Sequence, residues 1–365
     1  MMQLTATTAT VAAPTCFAGR RGSALQRPRT AAVPRRGAIA AHAGPAGDSQ
    51  DAAATRRGVL MAGSAAAVSP LVWNRQSDAA SFQKTITVDQ LSTFQKEDMR
   101  KEMLTRCLKV LREKLTAEDA AACMRLVLLD AGTYDIKAKT GGMNGSVITS
   151  DELSAEDKKA LGDVIKRLKE AKAEIGKLTE ASGTGQGNIS WADLLVLAGK
   201  VAVTKEWRNA KVVKSGTEDG GKLIADSFGT AFVVKLGRLD STEADSGLIV
   251  PCRTASTDDI KTWLSKLGNR KFGEDPGFLA PKPPFWERPG FVLWTAGQLD
   301  PKAAEEYLAE DPGFADFKKK YDASRRTVTR TDYEVDFVDY YNKLTSYATF
   351  DPLAYCFSFT VSGKL

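Results

Sequence analysis

Two segments of this 365-residue chain are apolar on nearly every side of a helix, and such helices must be surrounded by protein. One covers residues 120–129, after a start resembling a capping box between Thr116 and Asp119; the other covers residues 191–203, after the cap residue Ser190. Amphipathic helical patterns are predicted at residues 88–116, 152–178, 258–267, 301–321 and 331–348. Strand signals are few and short, so the sequence predicts a mostly α-helical fold.

Three segments between these helices are predicted to be irregular. Residues 134–150 form a glycine-rich loop that lacks the Gly-Lys-Ser/Thr ending of a phosphate-binding loop, and no apolar strand precedes it. Residues 208–230 show little periodicity, which predicts a surface insertion. Residues 273–290 are rich in proline and glycine, which predicts a long loop.

The N-terminal region is predicted to carry two targeting signals in series. Residues 1–47 contain six arginines and no acidic residue, which is typical of a chloroplast transit peptide. Residues 48–80 contain the Arg56-Arg57 pair, a short apolar stretch and small residues, which is typical of a twin-arginine thylakoid-transfer signal. The alternative is one long unstructured tail. The two signals predict delivery to the thylakoid lumen, a helical domain at residues 81–348 and a C-terminal tail at residues 349–365.

Composition excludes several classes of function. Residues 81–365 hold 42 basic and 42 acidic residues, so no overall positive charge favours nucleic-acid binding. No apolar run approaches the ~20 residues that a membrane-spanning helix needs. The four cysteines beyond the leader match no zinc or redox spacing, which favours isolated thiols but leaves one disulfide open; they are Cys107, Cys123, Cys252 and Cys356.

The order of motifs along residues 90–345 resembles that of the ascorbate peroxidases. The motifs are Arg125-Leu126 with Asp130 to Asp135, Lys139 to Ser146, Ser190 to Val203, Gly237-Arg238-Leu239-Asp240, Asp311 to Phe314, Lys320-Tyr321 and Asp336 to Leu344. The resemblance implies a haem-peroxidase-like helical fold, with two helical halves around a haem pocket. It also implies a haem b held by a proximal histidine, with a distal histidine that moves a proton and a distal arginine that stabilises charge.

The residues at those family positions are changed in this chain. The distal Arg, aromatic and His positions, which lie at i, i+3 and i+4 on one helix face, hold Arg125, Leu128 and Leu129. The proximal histidine position holds Leu267, and the position of its aspartate partner holds Trp286. Leu128 and Leu129 would occupy haem-facing positions, which argues against a large open pocket. Arg125 is expected to pair with a carboxylate, with Asp130, Asp135 and Asp193 as candidates, or else to keep an anion-binding role.

The single histidine, His42, lies in the segment that is predicted to be removed. No imidazole then remains to ligate iron or to transfer a proton. We therefore expect no catalytic residue, no metal and no cofactor. The sequence predicts an inactive peroxidase-like protein that binds thylakoid membrane proteins, possible partners being those of photosystem II. Two alternatives stay open: a divergent ascorbate peroxidase that holds haem b through an unusual ligand, and a helical protein that binds a small ligand in the old pocket.

Overall fold

The computed structural model describes residues 81–150, 153–269, 271–273, 287–327 and 331–364, all of which lie in one compact unit spanning residues 76–365. These described residues form two short strands, β1 (Ser81–Ile86) and β2 (Phe359–Lys364), and a series of helices. The helices are α1 (Thr93–Lys114), α2 (Ala120–Ala131), α3 (Ser146–Thr149), α4 (Ala155–Ala181), α5 (Trp191–Ser215), α6 (Glu218–Gly229), α7 (Thr257–Leu267), α8 (Glu287–Ala296), α9 (Pro301–Ala309), α10 (Pro312–Ser324) and α11 (Asp332–Leu344). The predicted mostly α-helical class is confirmed.

Side-chain caps fix where several helices begin. The Ser190 hydroxyl accepts the backbone N–H of Asp193 at the start of α5, so the predicted cap is confirmed. Before α2, the carboxylate of Asp119 accepts the backbone N–H and the hydroxyl of Thr116, at 2.8 and 3.0 Å. This pair closes the turn before the helix, and α2 itself begins at Ala120.

The two helices that are apolar on all sides lie at the centre of the core. α2 packs against α5 and α8, and α5 also packs against α1 and α6. Gly199 lets α5 approach α11, because a Cβ at this position would lie 2.5 Å from the Tyr341 hydroxyl. That hydroxyl donates to the Val196 carbonyl at 2.6 Å, so the contact leaves no buried polar group unpaired.

The lack of regular structure predicted for residues 208–230 is wrong, although most of the segment lies at the surface as predicted. α5 continues to Ser215, and α6 packs along it as a helical hairpin. A Cβ at Gly221 would lie 2.4 Å from the Val212 backbone, so this glycine allows the two helices to touch. Glycine has low helix propensity, which is why the sequence pattern hid a packed helix.

Three other boundaries differ from the sequence pattern. The predicted helix at residues 88–116 is a 3₁₀ turn at Val88–Gln90 followed by α1. The predicted helix at residues 301–321 is two helices, because Asp311 caps a new one that starts at Pro312. The predicted loop at residues 273–290 is wrong at its end, where α8 begins at Glu287; residues 274–286 lie outside the described part of the chain.

The ends of the described chain pair with each other. β1 and β2 are antiparallel, with Ser81 opposite Lys364 and Ile86 opposite Phe359. β2 therefore lies in the segment that the sequence predicts as a tail. Within the described ranges, no helix is both long and apolar enough to cross a bilayer.

Candidate functional site

A cleft of about 810 Å³ lies beside α2, at the helix face where the sequence places the changed distal residues. Arg125 and Leu129 line it from α2, Asp157 from the start of α4, and Trp263 from α7. The expectation that two leucines leave no large pocket is wrong. Leu128 is fully buried in the core and is not part of the lining, whereas Leu129 lies at the cleft wall.

Arg125 is fully buried and is held in a two-pronged ion pair. Its Nε and Nη2 donate to Oδ1 and Oδ2 of Asp157 at 3.2 and 3.1 Å, and its Nη1 donates to the Pro251 carbonyl at 3.1 Å. The expectation that Arg125 pairs with a carboxylate is confirmed. This arrangement matches the fork geometry in which arginine binds a carboxylate most strongly.

The three partners expected for Arg125 are wrong, because each of those carboxylates is engaged elsewhere. Asp130 accepts backbone N–H groups from residues 144, 145 and 147, and Asp135 accepts those from residues 137 and 138. Asp193 pairs with Arg238. The true partner, Asp157, lies 32 residues further along the chain, and only the packing of α4 beside α2 brings it close.

A second arginine shares the same carboxylate. Arg253 Nε donates to Asp157 Oδ1 at 3.1 Å and its Nη1 donates to the Gly297 carbonyl at 3.2 Å, while its Nη2 is buried without a hydrogen-bond partner. Burial raises the pKa of Asp157, but the hydrogen bonds and charges of Arg125 and Arg253 outweigh it and hold the pKa below its usual value. The three side chains therefore form a buried cluster with one excess positive charge.

Leu267, which the family resemblance assigns to the proximal position, lies on α7 and offers no metal-ligating atom to the cleft. Leu267 is fully buried and is not part of the cleft lining. One turn earlier, Trp263 donates its indole N–H to the Gly132 carbonyl at 3.0 Å, which ties α7 to the end of α2. Trp286, at the position of the partner aspartate, lies outside the described residues.

The side chains present do not fit a haem b held in the way that the family resemblance implies. Leu129 and Leu267 carry no nitrogen, and Arg125 already binds Asp157. Cys252 also lines the cleft, and it follows Pro251, whose carbonyl accepts a hydrogen bond from Arg125. Among the described residues there is no group of three metal-ligating side chains, and the four cysteine thiols there are all unpaired.

A second buried polar centre connects two other motifs of the sequence analysis, the Ser190 to Val203 segment and the Gly237 to Asp240 segment. Arg238 Nη1 binds Asp193 Oδ1 at 2.7 Å, and the backbone N–H of Gly237 donates to Asp193 Oδ2 at 2.6 Å. Tyr355 donates its hydroxyl to the same oxygen at 2.8 Å. Burial raises the pKa of the Tyr355 hydroxyl, which therefore stays protonated as a donor. Sequence reasoning missed this centre, whose side chains are fully committed to holding the fold.

Comparisons with known proteins agree with this architecture. The profile of the family described as "Peroxidase" matches residues 102–274. The "Thylakoid lumenal 29 kDa protein, chloroplastic" of Arabidopsis thaliana is 34% identical over 241 residues, which cover 64% of this chain and 62% of the relative. The protein of the same name from Solanum lycopersicum is 33% identical over 250 residues, which cover 64% of this chain and 66% of the relative. The matched region thus spans just under two thirds of the length of these relatives.

A solved structure covers the same helical region. The crystal structure of the TL29 protein from Arabidopsis thaliana is 31% identical, with a TM-score of 0.60, and the match covers 71% of this chain and 99% of that chain. "L-ascorbate peroxidase 5, peroxisomal" of Arabidopsis thaliana is 32% identical over 159 residues, covering 43% of this chain and 45% of the relative. The names of these two relatives confirm the predicted location in the thylakoid lumen. The chain therefore belongs to the peroxidase family, beside the thylakoid lumenal 29 kDa proteins and the ascorbate peroxidases.

Proposed function

We propose that this protein is a haem-free, non-catalytic member of the peroxidase family that binds other proteins of the thylakoid, near photosystem II. One observation supports the proposed absence of catalysis. The arginine at the distal position is locked against Asp157, while the side chain at the neighbouring base position, Leu129, is aliphatic.

The chemical consequence is large. Peroxide reduction needs a group that takes a proton from one peroxide oxygen and gives it to the other. A leucine cannot do this, and the loss of a positioned acid–base group lowers a rate by roughly 10²- to 10⁴-fold. An arginine whose Nε and both Nη atoms already donate to Asp157 and Pro251 is also poorly placed to stabilise a departing hydroxide.

A haem-reconstitution spectrum tests this proposal directly. The protein is mixed with haem and its absorption is recorded, followed by an assay of peroxide consumption with ascorbate. We expect no Soret band of a protein-ligated haem and no turnover above that of free haem. A Soret band together with ascorbate-dependent turnover would overturn the proposal in favour of a divergent peroxidase.

Co-sedimentation with membranes enriched in photosystem II tests the binding role. We expect the protein to sediment with the membranes in a saturable manner. No recovery in the membrane fraction would contradict the binding role.

The cleft itself supports one second candidate, a small-molecule site. Its volume of about 810 Å³ falls within the range of about 300–1,000 Å³ that is usual for ligand pockets. A thermal-shift screen of small carboxylates, with Leu129→Trp to fill the cleft, separates this candidate from the first. A stabilising ligand that loses its effect in Leu129→Trp would support the small-molecule site.

A further inference from the structure

A group of cationic side chains lines one depression of the domain, although the chain from residue 81 onwards is formally neutral. Two adjoining cavities of about 720 and 700 Å³ lie along α5, between the C-terminal part of α1 and the helix α6. Lys205 and Arg208 line both cavities, which joins them into one depression. We call this depression the basic groove.

The cations of the basic groove outnumber its carboxylates. The first cavity is lined by four cationic side chains and one carboxylate, Asp226; the cations are Arg112, Lys200, Lys205 and Arg208. Across the described residues, none of these four forms an ion pair with a carboxylate. The second cavity holds one carboxylate, Glu218, which forms an ion pair with Lys222 and whose pKa is lowered mainly by Lys222 and further by the charge of Arg208. Elsewhere in the domain, the buried arginines and lysines do have acidic partners.

The two lysines are held in place by main-chain carbonyls instead. Lys205 Nζ donates to the carbonyls of Arg112 and Leu115, both at 2.6 Å, at the C-terminal end of α1. Lys200 Nζ donates to the Phe232 carbonyl at 3.2 Å. Burial, and then repulsion from Arg112, lower the pKa of Lys200, so an anion in the groove would relieve both effects.

The shape of the groove indicates what would fill it. From Lys200 to Val213 the groove follows α5 for about 20 Å, since a helix rises 1.5 Å per residue. An extended chain of about six residues has the same length. Aliphatic side chains, Leu108 and Val201, form part of the lining, and Val213 and Leu223 are 82% and 75% exposed on α5 and α6. An extended polypeptide segment of this length fits along the groove.

We propose that the basic groove binds an acidic peptide segment, about six residues long, of a partner protein. The inference rests on the proposed binding function, because it assigns the surface through which that function acts. The carboxylates of the segment would pair with Arg112 and Arg208, whose guanidinium groups are exposed and make no ion pair or hydrogen bond within the described chain. Lys200 and Lys205 would add fixed positive charge along the groove.

The test uses a fluorescein-labelled hexaglutamate peptide, with hexaglutamine as the uncharged control. Residues 76–365 form one compact unit that contains the hydrophobic core of the described residues, so the assay uses that segment. The groove variant is Arg112→Gln/Arg208→Gln, which removes two charges that form no ion pair or hydrogen bond with the described residues. The matched control is Lys166→Gln/Lys169→Gln on α4, two exposed lysines that line neither cavity.

Fluorescence anisotropy at low ionic strength should show binding of hexaglutamate but not of hexaglutamine. We expect the groove variant to bind roughly 2- to 30-fold more weakly, as the loss of two exposed ion pairs implies, and the control to bind like the wild type. Binding should also weaken in about 0.5 M salt. A change below twofold in the groove variant, an equal loss in the control, or no peptide binding at all would overturn the inference.

Two further measurements separate the other outcomes. If vesicles of phosphatidylglycerol bind in a groove-dependent manner and the peptide does not, the surface faces a membrane and the peptide assignment is overturned. The groove variant is also compared with the wild type in the photosystem II co-sedimentation assay. Equal sedimentation of both refutes the groove while the binding function stands, whereas no sedimentation of the wild type refutes the binding function itself.

Discussion

Replacing Asp157 tests whether Arg125, at the distal position, now stabilises the fold through its ion pair. Its carboxylate is 5% exposed and forms ion pairs with both Arg125 and Arg253, whose side chains are 1% and 6% exposed. Asp157→Ala leaves two buried guanidinium groups without a counter-charge, and breaking such a buried pair costs about 3–5 kcal/mol. The control is Asp163→Ala, which removes an exposed carboxylate from the same helix and should change the stability by less than about 0.5 kcal/mol.

The assay is urea unfolding followed by far-ultraviolet circular dichroism at pH 7 and at acidic pH. Because the folded pKa of Asp157 lies below the ordinary value of 3.8, its contribution is fully present above that value and is lost as the pH falls through the folded pKa. The difference between the wild type and Asp157→Ala should therefore persist at pH 5 and shrink below about pH 3.8. A loss below about 1 kcal/mol at pH 7 would refute the view that Arg125 is retained for the fold.

Three further perturbations probe the core and its buried polar groups. Gly199→Ala should destabilise the fold by about 1–3 kcal/mol in urea unfolding, because the new Cβ would lie 2.5 Å from the Tyr341 hydroxyl. The control is Gly162→Ala on α4, whose Cβ would meet nothing within 4 Å, so this change should be neutral or stabilising. Burial raises the pKa of Asp130 to about 7, although its backbone hydrogen bonds act in the opposite direction. Between about pH 4 and pH 7 the carboxyl is ionised in the unfolded chain but protonated in the folded one, so the free energy of unfolding should fall as the pH rises through this range. Asp130→Asn should remove this slope in a pH series of thermal unfolding, and an unchanged slope would contradict the assignment. Tyr355→Phe should cost about 1–2 kcal/mol, because Asp193 loses a buried donor, and a thermal shift within error of zero would argue that water replaces the hydroxyl.

The sequence predicts the centre of this fold better than its edges. α2 and the first half of α5, residues 191–203, are apolar on nearly every side, and burial satisfies such segments. α6 was missed because the glycines that allow its contact with α5 also lower its helix propensity. The assignment of leucines to the distal and proximal positions rests on the family resemblance of the sequence and stays a prediction. The partner of Arg125 could not be predicted from the sequence, because the choice among many carboxylates is made by the packing of α4 on α2.

The arginines of the cleft and those of the basic groove differ in whether the protein already supplies their hydrogen-bond partners. This difference indicates which arginines stabilise the fold and which are available to a ligand. In the cleft, every nitrogen of the Arg125 guanidinium already donates to Asp157 or to the Pro251 carbonyl, so an anion that binds Arg125 would have to displace those partners. In the basic groove, Arg112 and Arg208 have no such partner among the described residues, so an anion gains new ion pairs without breaking old ones. A ligand changes an equilibrium only by the interactions that it adds. For an anion, the exposed guanidinium groups of the basic groove therefore have more interactions to add than Arg125 has in the cleft.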